Sequence, residues 1–367
     1  MAADPPPPST CAPEGAQAGG AAAEPPATAE PAGTEVEPSR LRGRHAVVWL
    51  LATALLIVVV YLLIPRLAGL QDTWHRIQDG SPAWLAVAIG FEALSYAGYA
   101  WNVEALSAAA GVPLGLGRAT QITLAATAAT RLLAAGGAGG IAVTSWALSR
   151  AGHGPAGAAR QVSAHIVSTY GVFMLAVIVG GVGLAIAGEP PLLSSVPAIL
   201  ATAIVAVFAV GIQAPDALRR RIGTNGRWRR RLLAAPQALA DGTRFTMELV
   251  RRREPGLLGT VLWWAFDIAA LWACFWAFNE HPNVPELVMA YFLGSIGNLL
   301  PLPGGVGGVE GGMIGALAAF GMDAGVALVA VLAYRAISVW LPALPGVLAL
   351  ATLRRAAQRA GEPDVDL

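Results

Sequence analysis

Long apolar runs separated by short, arginine-bearing polar segments set the architecture of this chain. Apolar stretches occupy residues 46–64, 83–110, 158–187, 192–213, 256–279 and 324–352. Each reaches the ~18 to 20 residues needed to cross the hydrocarbon core of a bilayer. They predict an all-α polytopic membrane fold with about six spanning helices. Two further stretches, 118–151 and 285–321, are interrupted near their middles by the glycine-rich segments 136–140 and 304–308. A straight helix through such a cluster loses ~1 kcal/mol per glycine relative to alanine, and Pro301 and Pro303 add a larger penalty. These stretches are therefore read as two re-entrant helical hairpins, with Gly136, Gly137, Pro301, Pro303, Gly304, Gly305 and Gly307 shaping their tips. Broken backbone at membrane depth needs protein or a water-filled cavity around it.

Charge orients the pattern. Arg40, Arg42 and Arg44 precede the first run and place the amino terminus in the cytoplasm by the positive-inside rule. Six spans and two hairpins then put Arg118, Arg150, Arg160, the run from Arg219 to Arg231, Arg251 to Arg253, Arg354, Arg355 and Arg359 on the same side, with only Arg66 and Arg76 outside. Reading 285–321 as one ordinary span would send the arginine-rich carboxyl end outside. The glycine segments share a pattern, GGAGGI at 136–141 and GGVGGV at 304–309. Three spans lie between the hairpins, so the second enters from the opposite face. The two halves then form an inverted repeat, a recurrent transporter design.

Composition narrows the class further. Hydrophobic residues make up 55% of the 367 and charged residues 13%, well away from the soluble balance of roughly 45–50% and 25%. The chain has no lysine, which a Walker phosphate loop requires, so a P-loop ATPase is excluded. Cys11 and Cys274 cannot build a disulfide framework or a thiolate cluster, and the five histidines are scattered, so no metal site and no cofactor are expected. Residues 1–40, rich in Pro, Ala and Glu, read as a disordered cytoplasmic tail. A transmembrane domain over 41–355 and a short cytoplasmic tail over 356–367 complete the expected organisation. Nucleic-acid binding is not expected, because no recognition module is present.

Candidate chemistry concentrates in the second half. Glu310 falls in the first turn of the half-helix after the 304–308 break, where free backbone amides favour an anion. Arg335 lies inside the 324–352 run, and an intramembrane charge costs on the order of 3 kcal/mol at the helix centre. The two are expected to pair, either around a bound headgroup or as a purely structural ion pair. A competing reading of the same segment is helix packing through the stripe Gly307, Gly311, Gly315 and Ala319. Asp267 and Glu92 occupy comparable places in the two halves and either line one cavity or face neighbouring helices. Asn298 and Tyr334 join them as candidate substrate-binding residues, while Arg131 and His165 are weaker candidates. The arginine run 219–231 reads as a cytoplasmic loop, with anionic lipid headgroups as a further option.

The segment from Pro301 to Gly312, followed by Tyr334, Arg335, Trp340, Leu341 and Pro342, resembles the lysylphosphatidylglycerol synthase transmembrane family over about 46–352. Leu302 stands where that family usually has Thr, Gly308 where an aliphatic residue is common, and the first hairpin lacks the family's Pro, Arg and Glu around 134–140. The resemblance implies a flippase-like, lipid-handling membrane unit with Glu310 and Arg335 as its polar positions. The aminoacyl-transfer domain of the full synthases has no counterpart in this sequence, so the expectation is a transporter and not an enzyme.

Three functions stay open at this stage. One is a plasma-membrane lipid translocase for a polar or anionic headgroup. The others are a membrane subunit that presents lipid to a separately encoded lipid-modifying enzyme, and an ion-coupled carrier of a soluble solute. Membrane lipids are the expected partners.

Overall fold

The structure, a computed structural model, describes residues 80–132, 137–211, 227–299 and 305–359. The expected tail 1–40, the run 46–64, Gly136, Pro301, Pro303, Gly304 and residues 360–367 lie outside them. All the described residues fall within one compact unit, Ala46–Leu367, and among them every regular element is helical. In chain order these are α1 (Pro82–Ala109), α2 (Leu116–Leu132), α3 (Ala138–Leu148), α4 (Gly154–Ile186), α5 (Ser195–Gly211), α6 (Arg227–Arg251), α7 (Leu258–Ala277), α8 (Val284–Ser295), α9 (Gly308–Ala319), α10 (Ala324–Arg335) and α11 (Leu341–Arg359).

Three stretches are long and apolar enough to cross a membrane: Ala138–Ile186, Pro255–Ala277 and Ala324–Arg359. Ser195–Ala209 and Gly308–Ala319 are apolar but shorter. The 83–110 run forms one 28-residue helix, α1, which is not among the three. Its polar residues lower its mean hydropathy, and they point inward. Glu92, Ser95 and Asn102 are buried while Val87, Ile89 and Leu94 are exposed. Outward apolar stripes continue on α4 through Leu175, Val179, Val182 and Ile186, the last 83% exposed, and on α5 through Leu200, Ile204 and Val207. Outward apolar stripes over helices that bury polar residues are the arrangement lipid demands and water penalises.

Small residues let the helices approach closely. α1 and α7 run antiparallel, with the Ser81 amide bonded to the Ala277 carbonyl at 2.8 Å at one end and Gly256 against Ala105 at the other. Between these ends Gly98 and Gly259 face each other so closely that a Cβ on either would sit 2.7 or 2.5 Å from the other's carbonyl oxygen. Side-chain hydrogen bonds add to this contact, from Ser95 Oγ to the Trp263 carbonyl at 2.9 Å and from Asn102 Nδ2 to the Gly256 carbonyl at 3.3 Å. Such interhelical bonds hold helices together where apolar burial gives no drive.

Both glycine segments interrupt helices, and in each case the two flanking helices fold back on one another. α3 packs on α2 at Gly140, where a Cβ would overlap Thr130. α9 packs on α8 through Gly312 against Gly294, and on the turn that follows α8 through Gly308 against Gly297. Gly137 (φ 88°) and Gly305 (φ 67°), equivalent in the two motifs, are both left-handed, a conformation that glycine adopts without the Cβ penalty. Two elements differ from expectation. The arginine-rich region after 226 is a helix, α6, because Ala240, Thr243, Thr246 and Leu249 recur at helical spacing and bury one face. That face packs on α4, with Gly242 against Ser163 and Ala164 and Arg160 over the Phe245 ring at 5.0 Å. The stripe Gly307, Gly311, Gly315 and Ala319 faces outward, and a Cβ on any of these three glycines would meet nothing within 4 Å. Val309, Met313, Ala316 and Leu317 are buried instead, because the close contacts of Gly308 and Gly312 with α8 fix the rotation of α9.

Candidate functional site

The ends of broken helices converge on a buried polar centre. Glu310 occupies the third position of α9, and its Oε2 accepts the Gly307 backbone N–H at 2.7 Å, which ties the carboxylate to the first turn of its own helix. Arg335 ends α10, where the helix widens into a π-turn over Ala336–Trp340. Such turns occur often at functional sites. Arg335 Nε donates to Glu310 Oε1 at 2.8 Å, and the two side chains are only 2% and 5% exposed.

A second polar group adjoins the first through Tyr334. Its hydroxyl donates to Asp267 Oδ1 at 2.8 Å, and the Tyr291 hydroxyl donates to Asp267 Oδ2. Glu92 reaches Asp267 from α1, with Arg131 and Arg335 as the nearby cations. The second oxygen of Glu92 is buried with no hydrogen-bond partner among the described residues. Tyr96 of α1 lies close to Thr127 of α2, so the first helix pair also touches this region.

Of the residues singled out in the sequence, the structure gathers Glu92, Asp267, Tyr334, Arg335 and Glu310 into one connected group. Asn298 does not join it. It is exposed beyond α8, its amide donates to the Ser295 carbonyl at 3.2 Å, and its side-chain oxygen abuts Gly305. His165 is a packed residue, stacked on Tyr99 at 4.6 Å with its Nδ1 2.9 Å from Asn102 Oδ1. Tyr291 was missed, because a tyrosine inside the apolar run VMAYFLG carries no charge to mark it. Its helical phase with Leu287 and Gly294, which places it on the buried face, was the available signal.

The family described as lysylphosphatidylglycerol synthase TM region matches residues 49–346. The chain belongs to that family. The match takes in both broken helix pairs and every residue of the polar centre, so the buried ion pair lies within the family region. A UPF0104 membrane protein of Methanothermobacter thermautotrophicus (strain ATCC 29096 / DSM 1053 / JCM 10044 / NBRC 100330 / Delta H) is 36% identical over 87 residues, 23% of this chain and 25% of that protein. The chain thus spans about a quarter of that relative's length. Membership in a transmembrane family, together with the apolar exterior, makes this a multi-pass membrane protein.

Proposed function

We propose that the protein is a plasma-membrane lipid translocase that moves a polar or anionic headgroup between leaflets without ATP hydrolysis. The observation that carries this reading is the Glu310–Arg335 pair, buried where a half-helix begins and a π-turn opens. A guanidinium offers phosphate a planar, two-pronged donor set. A phosphate headgroup arriving at Arg335 competes directly with Glu310, and the released carboxylate keeps the Gly307 amide. The pair thus acts as a latch that a headgroup opens, while acyl chains stay in lipid.

In this reading the two broken helix pairs are re-entrant hairpins of an inverted repeat with about six spans. The antiparallel pairing of α1 with α7 and the left-handed glycines Gly137 and Gly305 support it. The arginine distribution supports cytoplasmic termini by the positive-inside rule, with 1–40 and 356–367 as tails around the transmembrane domain. The chemistry is transport and not catalysis, with membrane lipids as partners. Proteoliposomes carrying a headgroup-labelled lipid test the proposal. Wild-type protein should move label between leaflets, and Glu310→Gln and Arg335→Gln should each abolish movement. Full transport by both variants overturns the proposal.

A further inference from the structure

A second site lies away from the polar centre. At the end of the bundle where α1 begins and α7 ends, a cavity of about 560 Å³ opens between Ser81, Trp84, Trp276, Asn279, Glu280 and His281. Nine residues of α7 separate Asp267 from Trp276, which sets the cavity roughly 14 Å along the helix from the polar centre. Trp84, Trp276, Phe278 and His281 line it beside the polar groups of Ser81, Asn279 and Glu280, and Trp272 packs against the two tryptophans. Trp84 and Trp276 have centroids 5.2 Å apart, Trp272 lies 5.7 Å from Trp84 and 5.1 Å from Trp276, and the His281 ring sits 4.0 Å from Trp276. Among its described lining residues Glu280 is the one carboxylate, His281 stands next to it in the chain, and there is no arginine. The loop bearing Glu280 is held in place, since Asn279 adopts φ 64° and the Glu280 amide bonds the Phe275 carbonyl at 3.0 Å.

Tryptophan rings beside a carboxylate, with no arginine among the described lining residues, attract a cation, because the ring face is the negative pole of its quadrupole. An anion would meet the Glu280 carboxylate, and a small hydrated metal ion would gain little from the indole rings. We propose that this cavity binds a small organic ammonium ion, quaternary or primary, with Trp84 and Trp276 as its aromatic walls and Glu280 as its counter-charge. The ion is either a free amine or the amine of a lipid headgroup. The site stands apart from the translocation reading, because binding is measured directly.

The full chain in detergent, titrated with choline at constant ionic strength and followed by tryptophan fluorescence, should give a saturable response. Trp84→Leu should weaken it about threefold to thirtyfold, Glu280→Gln by at least about fivefold, and Trp84→Phe should leave most of it. The neutral isostere 3,3-dimethylbutan-1-ol should give no saturable response. A separate arm distinguishes the sources. In nanodiscs of phosphatidylglycerol, added phosphatidylcholine shifts the choline titration to higher concentration if headgroup amines occupy the site, and leaves it unchanged if only free amines do. No saturable choline response, an equal response to the neutral isostere, or an unaltered Glu280→Gln titration overturns the proposal. Glu280→Gln alters an element outside the helices, so it remains informative if Trp84→Leu does not fold.

Discussion

Breaking the latch on one side should cost at least as much as removing it whole. Arg335 Nε and Glu310 Oε1 are 2.8 Å apart and almost fully buried, so either single change strands a charge or its polar partner. Removing one member of a buried pair costs about 3–5 kcal/mol, since the remaining charge loses its compensation. Arg335→Gln should fall toward the lower end, because Glu310 keeps the Gly307 amide at 2.7 Å. The double variant should be no less stable than the weaker single one, which gives a coupling on the order of 3 kcal/mol between the positions. Reversible unfolding in bicelles, followed by tryptophan fluorescence on wild type, both singles and the double, measures the cycle. Additivity within about 0.5 kcal/mol would refute the reasoning, because it would mean that the two charges do not depend on one another in the folded bundle.

At the glycine break, Gly305→Ala should destabilise by more than the ~1–2 kcal/mol of left-handed strain alone, because a Cβ there comes within 2.6 Å of Asn298 Oδ1 and 2.9 Å of Val309 Cγ2. Gly307→Ala, with φ 86° and open space around it, should cost only the strain, and thermal unfolding of the two variants compares them. Tyr334→Phe removes one of the donors to Asp267 and should lower stability by about 1–2 kcal/mol, with no loss expected if Asp267 were instead satisfied by water. Cysteine placed at the exposed Arg252 should resist a membrane-impermeant reagent applied to intact cells, as should native Cys11, and labelling of both from outside would invert the proposed topology.

The features that stood out in the sequence were those with a strong local cost. Glycine clusters cannot continue a helix, so both breaks were visible, and charges inside apolar runs are expensive, so Glu310 and Arg335 were too. What was hidden was helix rotation. The spacing Gly307, Gly311, Gly315 looks like a packing stripe, yet the packed face lies one position further on, and only the contacts of Gly294 and Gly297 decide it. The arginine run masked α6, because charge at its start drew attention from the period-three burial of Ala240, Thr243, Thr246 and Leu249 further along. Tyr291 needed its partner Asp267, brought near only by packing, to look like anything but another aromatic in an apolar segment.

The inward polar face of α1 also imposes an order on synthesis. Glu92 leaves the ribosome well before Asp267, and at ~5–20 residues per second the wait is on the order of ten to thirty seconds. Asn102 waits similarly for Gly256, but His165 reaches it sooner. Nascent α1 thus has to be sheltered until α4 and then α7 arrive, and quality control that removes unpartnered polar helices has its longest opportunity in that interval. Variants that weaken α7 should therefore lower the yield of inserted protein before they alter anything the finished bundle does.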